Sequence, residues 1–220
     1  MDKADMINKA FFIQYPLTYG RYRNYDIDKI IKFPLPNDGE MYDGWAKNAN
    51  HFTTEYHIKH SIPLLCDIFE LPFDERNFLL DKRNSGKYDI SILAPKEKYC
   101  YEVYGYNRNE HLDNLNFEEI TRNVSIKSDI TDYHKLYIYS HECSRLINKT
   151  IESDRKLFIS GDSQMIPDVS FLSCFFKEVW YFDNRDKLRL SKEYLNNDFT
   201  DVLIELNHLD IKEYLETNFK

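Results

Sequence analysis

Ser163 stands in the run Gly161-Asp162-Ser163, directly after the apolar stretch Leu157-Phe158-Ile159. A serine hydroxyl attacks a carbonyl only when a base removes its proton as the new bond forms. Upstream, Ser128-Asp129-Ile130-Thr131-Asp132-Tyr133-His134 offers carboxylates and an imidazole in one short segment. His134 is the candidate base, and Asp132, two residues before it, is placed to orient the ring and stabilise its charged form. Nucleophile, base and orienting acid are the three groups of a serine esterase or acyltransferase. Asp129 is an alternative acid, and the spacing does not choose between it and Asp132. Each of these residues also has a plainer reading, because Asp and Ser are favoured helix caps.

The surrounding pattern supplies elements that would position them. Lys156–Ile159 reads as a strand, Gly161-Asp162 as a turn, and Ile166, Val169, Leu172 and Phe176 as the apolar stripe of a helix. A strand-turn-helix context exposes the serine and leaves the first amides of the helix free to meet an oxyanion. Tyr88–Ala94, 179–182 and 201–206 read as further strands, and 123–127 as a short one. A short helix is expected before Asn107, another over residues 134–149 on Leu136, Tyr139, Cys143, Leu146 and Ile147, and a last one at 211–219. Strands alternating with helices imply an α/β fold: a three-layer α/β/α sandwich around a mostly parallel, flavodoxin-like sheet. In such sheets the ligand crevice lies beyond the carboxyl ends of the strands. Ser163 falls there, as do Asn207 and His208.

Composition bounds the partners. The chain has 220 residues and a net charge of −8, with no block of Lys and Arg, which excludes a general nucleic-acid binder. No run approaches the roughly 18 apolar residues of a membrane span, and the first residues carry no secretory pattern, so the chain as printed is expected in the cytoplasm. Cys66, Cys100, Cys143 and Cys174 are widely spaced and suit free thiols better than a disulfide framework or a zinc site. The 17 Tyr and 15 Phe are spread along the whole chain, which favours ordinary packing over a sugar-stacking platform.

The order of the motifs resembles a known family. Asp132-Tyr133-His134, then Gly161-Asp162-Ser163, is similar to the SGNH-type hydrolases of the AlgX/AlgJ and DHHW group, which is related to bacterial polysaccharide O-acetyltransferases. Its members carry Asp-x-His upstream of a Gly-Asp-Ser nucleophile. Ile92-Leu93-Ala94-Pro95-Lys96 with Tyr99, Val179–Arg185 and Asp201–Glu205 resemble the flanking strands. Lys135 stands where the group has tryptophan, and Gln164 where an aromatic or apolar residue is common. The likeness covers about residues 86–220, the expected SGNH-like catalytic core, with residues 1–85 as an N-terminal region on the same globule. It implies an acyl-enzyme on Ser163, His134 as base and acid, Asp132 as its orienting group, and an acyl donor and a carbohydrate acceptor as partners.

Other clusters compete. Gly161, Gln164, Asn207 and Arg185 are candidates for the oxyanion or substrate, and His208 is an alternative base. Tyr99, Tyr101, Tyr104 and Tyr106 could line a sugar cleft, though packing is the simpler account. His51, Glu55, His57 and His60 form the densest His/Glu group, expected as a helix face with no metal. No cofactor is expected. The leading function is a serine-dependent carbohydrate O-acetyltransferase or esterase. The alternative is a catalytically inactive carbohydrate- or protein-binding module on the same fold.

Overall fold

A computed structural model describes residues 8–17, 22–25, 29–37, 39–40, 51–84, 89–105, 127–131, 144–184 and 198–207. Its centre is an eight-stranded sheet. The strands are β1 (Ala10–Gln14), β2 (Ile30–Lys32), β5 (Tyr101–Gly105), β6 (Lys127–Ile130), β7 (Ser144–Asn148), β8 (Lys156–Gly161), β9 (Glu178–Asp183) and β10 (Asp201–Glu205), in the order β2-β1-β10-β8-β9-β7-β5-β6. From β2 to β9 the strands run parallel, and the remaining three complete the sheet antiparallel. The remaining strands, β3 (Phe78–Asn84) and β4 (Asp89–Pro95), form a separate antiparallel pair.

The helical pieces are α1 (Thr54–Tyr56), a π-helical turn over His57–Ser61, α2 (Ile62–Phe69), α3 (Ile166–Leu172) and 3-10 turns over Glu75–Asn77 and Ser163–Met165. Pro63 explains the π turn. It has no N–H for the carbonyl of Lys59, and its ring would crowd that carbonyl, so the helix widens there and the Ile62 N–H bonds back to His57 O. At the far end Glu70 adopts a left-handed conformation with φ 53°. Its N–H and that of Leu71 close the helix onto the carbonyls of Asp67 and Cys66.

Strand alternation gives the sheet two apolar faces. Ile13, Tyr15, Leu157, Ile159, Val179, Tyr181 and Leu203 point to the side where α2 and α3 pack, and they form one core with Leu65, Phe69, Val169 and Phe171. Phe158, Phe182, Trp180 and Phe199 cluster on the other face. The mostly parallel α/β sandwich expected from the pattern is therefore the observed fold. Arg155 joins sheet to helix: its guanidinium grips both carboxylate oxygens of Asp201, donates to the Phe69 carbonyl and lies over the Phe176 ring.

Three expected elements differ. Residues 144–148 form a strand rather than the end of a helix. Ser144, Leu146 and Asn148 are buried while Arg145 and Ile147 are half-buried, a period of two, and strands on both sides supply the ladder. The Leu146-Ile147 pair alone fits either period. Tyr101–Gly105 is likewise a strand, not part of a short helix, because its β-favouring residues pair with β7 and β6. The strand at Asp89–Pro95 joins the β3–β4 hairpin instead of the main sheet. Lys127–Ile130 forms a strand, and residues 123–126 of the expected short strand lie outside the described residues. Residues 134–143 and 211–219 lie outside the described residues.

Candidate active site

Ser163 sits at the carboxyl edge of the parallel strands, two residues after the end of β8. Gly161 ends that strand where space is short: a Cβ there would lie 2.6 Å from Met165 Cγ and 3.2 Å from Glu205 Cβ. Asp162 then shapes the turn. Its Oδ1 accepts the Gln164 N–H at 2.6 Å and its carbonyl accepts the Met165 N–H at 3.0 Å. The helix-capping reading is thus correct for Asp162. Both amides after Ser163 are committed to Asp162, whereas the Ser163 N–H is not. The buried Glu205 carboxylate ties the turn to the neighbouring strand, taking the Asp162 N–H at 3.1 Å and the Asn207 N–H at 2.7 Å. Tyr181 donates to the Asp162 carbonyl from β9 at 2.7 Å.

The half-buried Ser163 side chain faces an imidazole. His51 Nε2 stands 2.8 Å from Ser163 Oγ, across 112 residues of sequence. The next residue along the chain is clamped to the nucleophile turn, since the Phe52 N–H donates to Gln164 Oε1 at 3.2 Å. Phe52 stacks on Tyr56 with ring centroids 4.2 Å apart and on Tyr15 at 5.7 Å. Thr53 caps α1, accepting the Tyr56 N–H through Oγ1, and donates its own N–H to the Glu40 carbonyl. The Glu40 carboxylate meets His60 Nε2 at 3.2 Å and the Asn37 N–H at 2.7 Å. Burial alone would push this carboxyl up. The Asn37 amide and the His60 imidazole outweigh burial and hold it below its ordinary value.

A buried Ser–His–Asp set that does not include Ser163 is formed by Ser61, His57 and Asp168. The fully buried Asp168, on α3, accepts from Ser61 Oγ at 2.8 Å and from the Tyr15 hydroxyl, with His57 Nδ1 at 3.1 Å. The composition is that of a catalytic triad, but the geometry is not. Ser61 Oγ and Asp168 both meet the same ring nitrogen, Nδ1, whereas a relay needs them on opposite nitrogens. With His57, Ser61 and Asp168 almost wholly enclosed, this is a structural knot joining Tyr15, which follows β1, to the π turn and α3. Burial and then the Asp168 charge push the Tyr15 hydroxyl well above its ordinary pKa, so it stays a donor.

Several residues singled out in the sequence fall within this edge. Ser163, Gly161, Gln164 and Asn207 do so, with Gln164 occupied in holding Phe52. Asn207 is buried, and its Oδ1 meets no partner among the described residues, as with Asn184 Oδ1 and Gln14 Oε1 on the same edge. Asp132, His134, Arg185 and His208 lie outside the described residues. Asp129 lies in β6, and its side chain is likewise not described. Tyr101 is buried in the core, and Tyr106 is outside the description. The His/Glu group does not form a single helix face: His51 precedes the helix and reaches Ser163, His57 turns inward to Asp168, and His60 meets Glu40. Thr53 was the available signal. As a cap followed by Thr54-Glu55-Tyr56, it starts the helix after His51.

Among the described residues no group of three or more His, Cys, Asp and Glu is arranged to hold a metal ion. No described helix is long and apolar enough to cross a membrane. No protein-family model matches the chain, and no curated protein matches it. Solved structures do. A DHHW family protein from Eubacterium siraeum DSM 15702 superposes with a TM-score of 0.58 at 15% identity, over 96% of this chain and 82% of that one. Bacillus cereus PatB1 with a sulfonyl adduct superposes with a TM-score of 0.60 at 11% identity, over 92% and 82%. A second structure of PatB1 gives 0.59 at 10%, over 92% and 84%. The chain has the fold of the DHHW protein and of PatB1, with Ser163 at the carboxyl edge of its parallel strands.

Proposed function

We propose that this chain is a serine-dependent O-acyltransferase or esterase that acts on a carbohydrate through an acyl-enzyme on Ser163. The observation that carries the reading is the half-buried Ser163 hydroxyl at the edge of the parallel sheet, hydrogen-bonded to an imidazole at 2.8 Å. A serine becomes a useful nucleophile when an imidazole takes its proton as Oγ attacks. The tetrahedral intermediate would place its oxyanion near the Ser163 N–H, the first amide of the turn and one not held by Asp162. Collapse expels the donor's leaving group and leaves the acyl ester on Oγ. A sugar hydroxyl or water then takes the acyl group, and the difference between transferase and esterase is which of the two arrives.

The carbohydrate part of the reading rests on the resemblance to the polysaccharide O-acetyltransferase group and on the fold shared with the DHHW protein and PatB1. That resemblance assigns the base to His134 and its orienting carboxylate to Asp132. The sulfonyl adduct of PatB1 suggests the probe. Phenylmethanesulfonyl fluoride should modify the wild-type chain once, at Ser163, as read by peptide mass spectrometry. The same treatment should leave Ser163→Ala unmodified, and p-nitrophenyl acetate turnover should fall with it. A wild-type chain that takes no label and releases no acetate would sink the enzymatic reading and leave the binding module.

A further inference from the structure

We infer that His51 is a catalytic residue, the imidazole that takes the Ser163 proton during acylation. The inference rests on the acyl-enzyme reading and departs from the family resemblance in one point, the identity of the base.

Three observations carry it. The first is distance: His51 Nε2 lies 2.8 Å from Ser163 Oγ, inside the reach required of a general base. The second is how that distance is maintained. Gln164, the residue after the nucleophile, accepts the N–H of Phe52, the residue after the imidazole. Nucleophile and base are therefore carried by adjacent, mutually bonded backbone segments, and a shift of one moves the other. The third is rigidity behind the clamp. Phe52 is 6% exposed and stacked between Tyr56 and Tyr15, and Thr53 caps the helix that follows. These contacts hold the backbone from which the His51 ring reaches the Ser163 hydroxyl.

The step balances as ordinary acyl transfer. With its hydrogen on Nδ1, His51 presents the Nε2 lone pair to the Ser163 O–H. The proton moves to Nε2 as Oγ bonds to the carbonyl carbon of an O-acyl ester donor. The imidazolium returns that proton to the departing alcohol oxygen as the carbon–oxygen bond breaks. With a sulfonyl fluoride, the Oγ–S bond forms, the S–F bond breaks, fluoride leaves and the proton stays on His51.

The test compares the rate of phenylmethanesulfonyl fluoride labelling at Ser163 against pH for wild type, His51→Ala, His51→Gln and His134→Ala. Circular dichroism confirms that each variant is folded. The wild-type rate should fall on the acid side with a single imidazole-like titration. His51→Ala and His51→Gln should be slower by at least about 100-fold and lose that titration. Added imidazole should partly restore His51→Ala, where the ring has left space, and not His51→Gln, a result that a merely structural role would not produce. His134→Ala should keep the His51-dependent titration. Folded His51 variants that label at the wild-type rate with the same pH profile would overturn the inference while leaving Ser163 as nucleophile. A wild type that takes no label overturns both.

Discussion

The Phe52 N–H donates to the side-chain carbonyl of Gln164 at 3.2 Å, so the residue following the candidate nucleophile holds the residue following the imidazole that faces it. On the acyl-enzyme reading, Gln164 is a positioning residue. It stands where an aromatic or apolar side chain is common in the family the sequence resembles, and it can accept a hydrogen bond. Gln164→Ala leaves the buried Phe52 amide unpaired, at a cost of about 1–2 kcal/mol. It should also slow Ser163 labelling by about tenfold, through loosening of the geometry. Gln164→Glu keeps an acceptor oxygen and should restore most of the labelling rate. Equal losses in both variants would mean that the carbonyl is not what matters.

Gly161 is required by space. A methyl group there would press on Met165 Cγ and approach Glu205 Cβ. Overpacking of this kind costs about 1–3 kcal/mol. Gly161→Ala should therefore lower Tm by several degrees, measured by differential scanning fluorimetry. An unchanged Tm would show slack in the nucleophile turn.

Asp168 collects the Tyr15 and Ser61 hydroxyls and the His57 ring in a fully buried place. Asp168→Ala strands those groups without an acceptor and should destabilise the fold by more than about 3 kcal/mol. Asp168→Asn keeps the shape and one acceptor oxygen, and should cost less. Urea unfolding midpoints decide the order. If Asn proves as harmful as Ala, the negative charge rather than the hydrogen bonding holds the knot together.

Glu40 makes stability sensitive to acid. Its carboxyl is held below the ordinary value of 4.5 despite burial, by the Asn37 amide and His60. A carboxyl lowered in the folded state contributes stability that is fully present above its unfolded pKa. That contribution is lost as pH falls through the folded pKa. Unfolding midpoints recorded between about pH 3 and 6 should therefore drop on the acid side. The drop should be shallower in Glu40→Gln, and parallel curves would remove Glu40 from the account.

Burial pushes the Cys66 thiol up to about 12, which leaves about one molecule in ten thousand as thiolate at pH 8. Iodoacetamide should alkylate the half-buried Cys100 well before Cys66 in the native protein, as read by mass spectrometry. Prompt labelling of Cys66 would mean that the α2 packing opens readily.

Much of the frame was legible along the chain because its signals are local. The apolar runs at 157–159, 179–182 and 202–204 each specify a strand, and the stripe from Ile166 specifies the helix after Ser163. Gly161-Asp162-Ser163 marks the turn between them, and the structure agrees at each. Where the local signal is ambiguous, partners decide. Leu146-Ile147 became a strand because β5 and β9 offered ladders on both sides, which no window of sequence reports. The His51–Ser163 pair belongs to the same category. Thr53 marks where the helix begins, and so by itself removes His51 from that helix's face. What lies opposite His51 is set only when β1 and the 51–69 segment pack against β8, β10 and α3, closing a loop of 112 residues. The types of groups available for chemistry are thus a property of the chain. Which imidazole meets Ser163 is a property of the packed sheet, because hydrogen bonds act over about 3 Å and sequence separation carries no information about that distance.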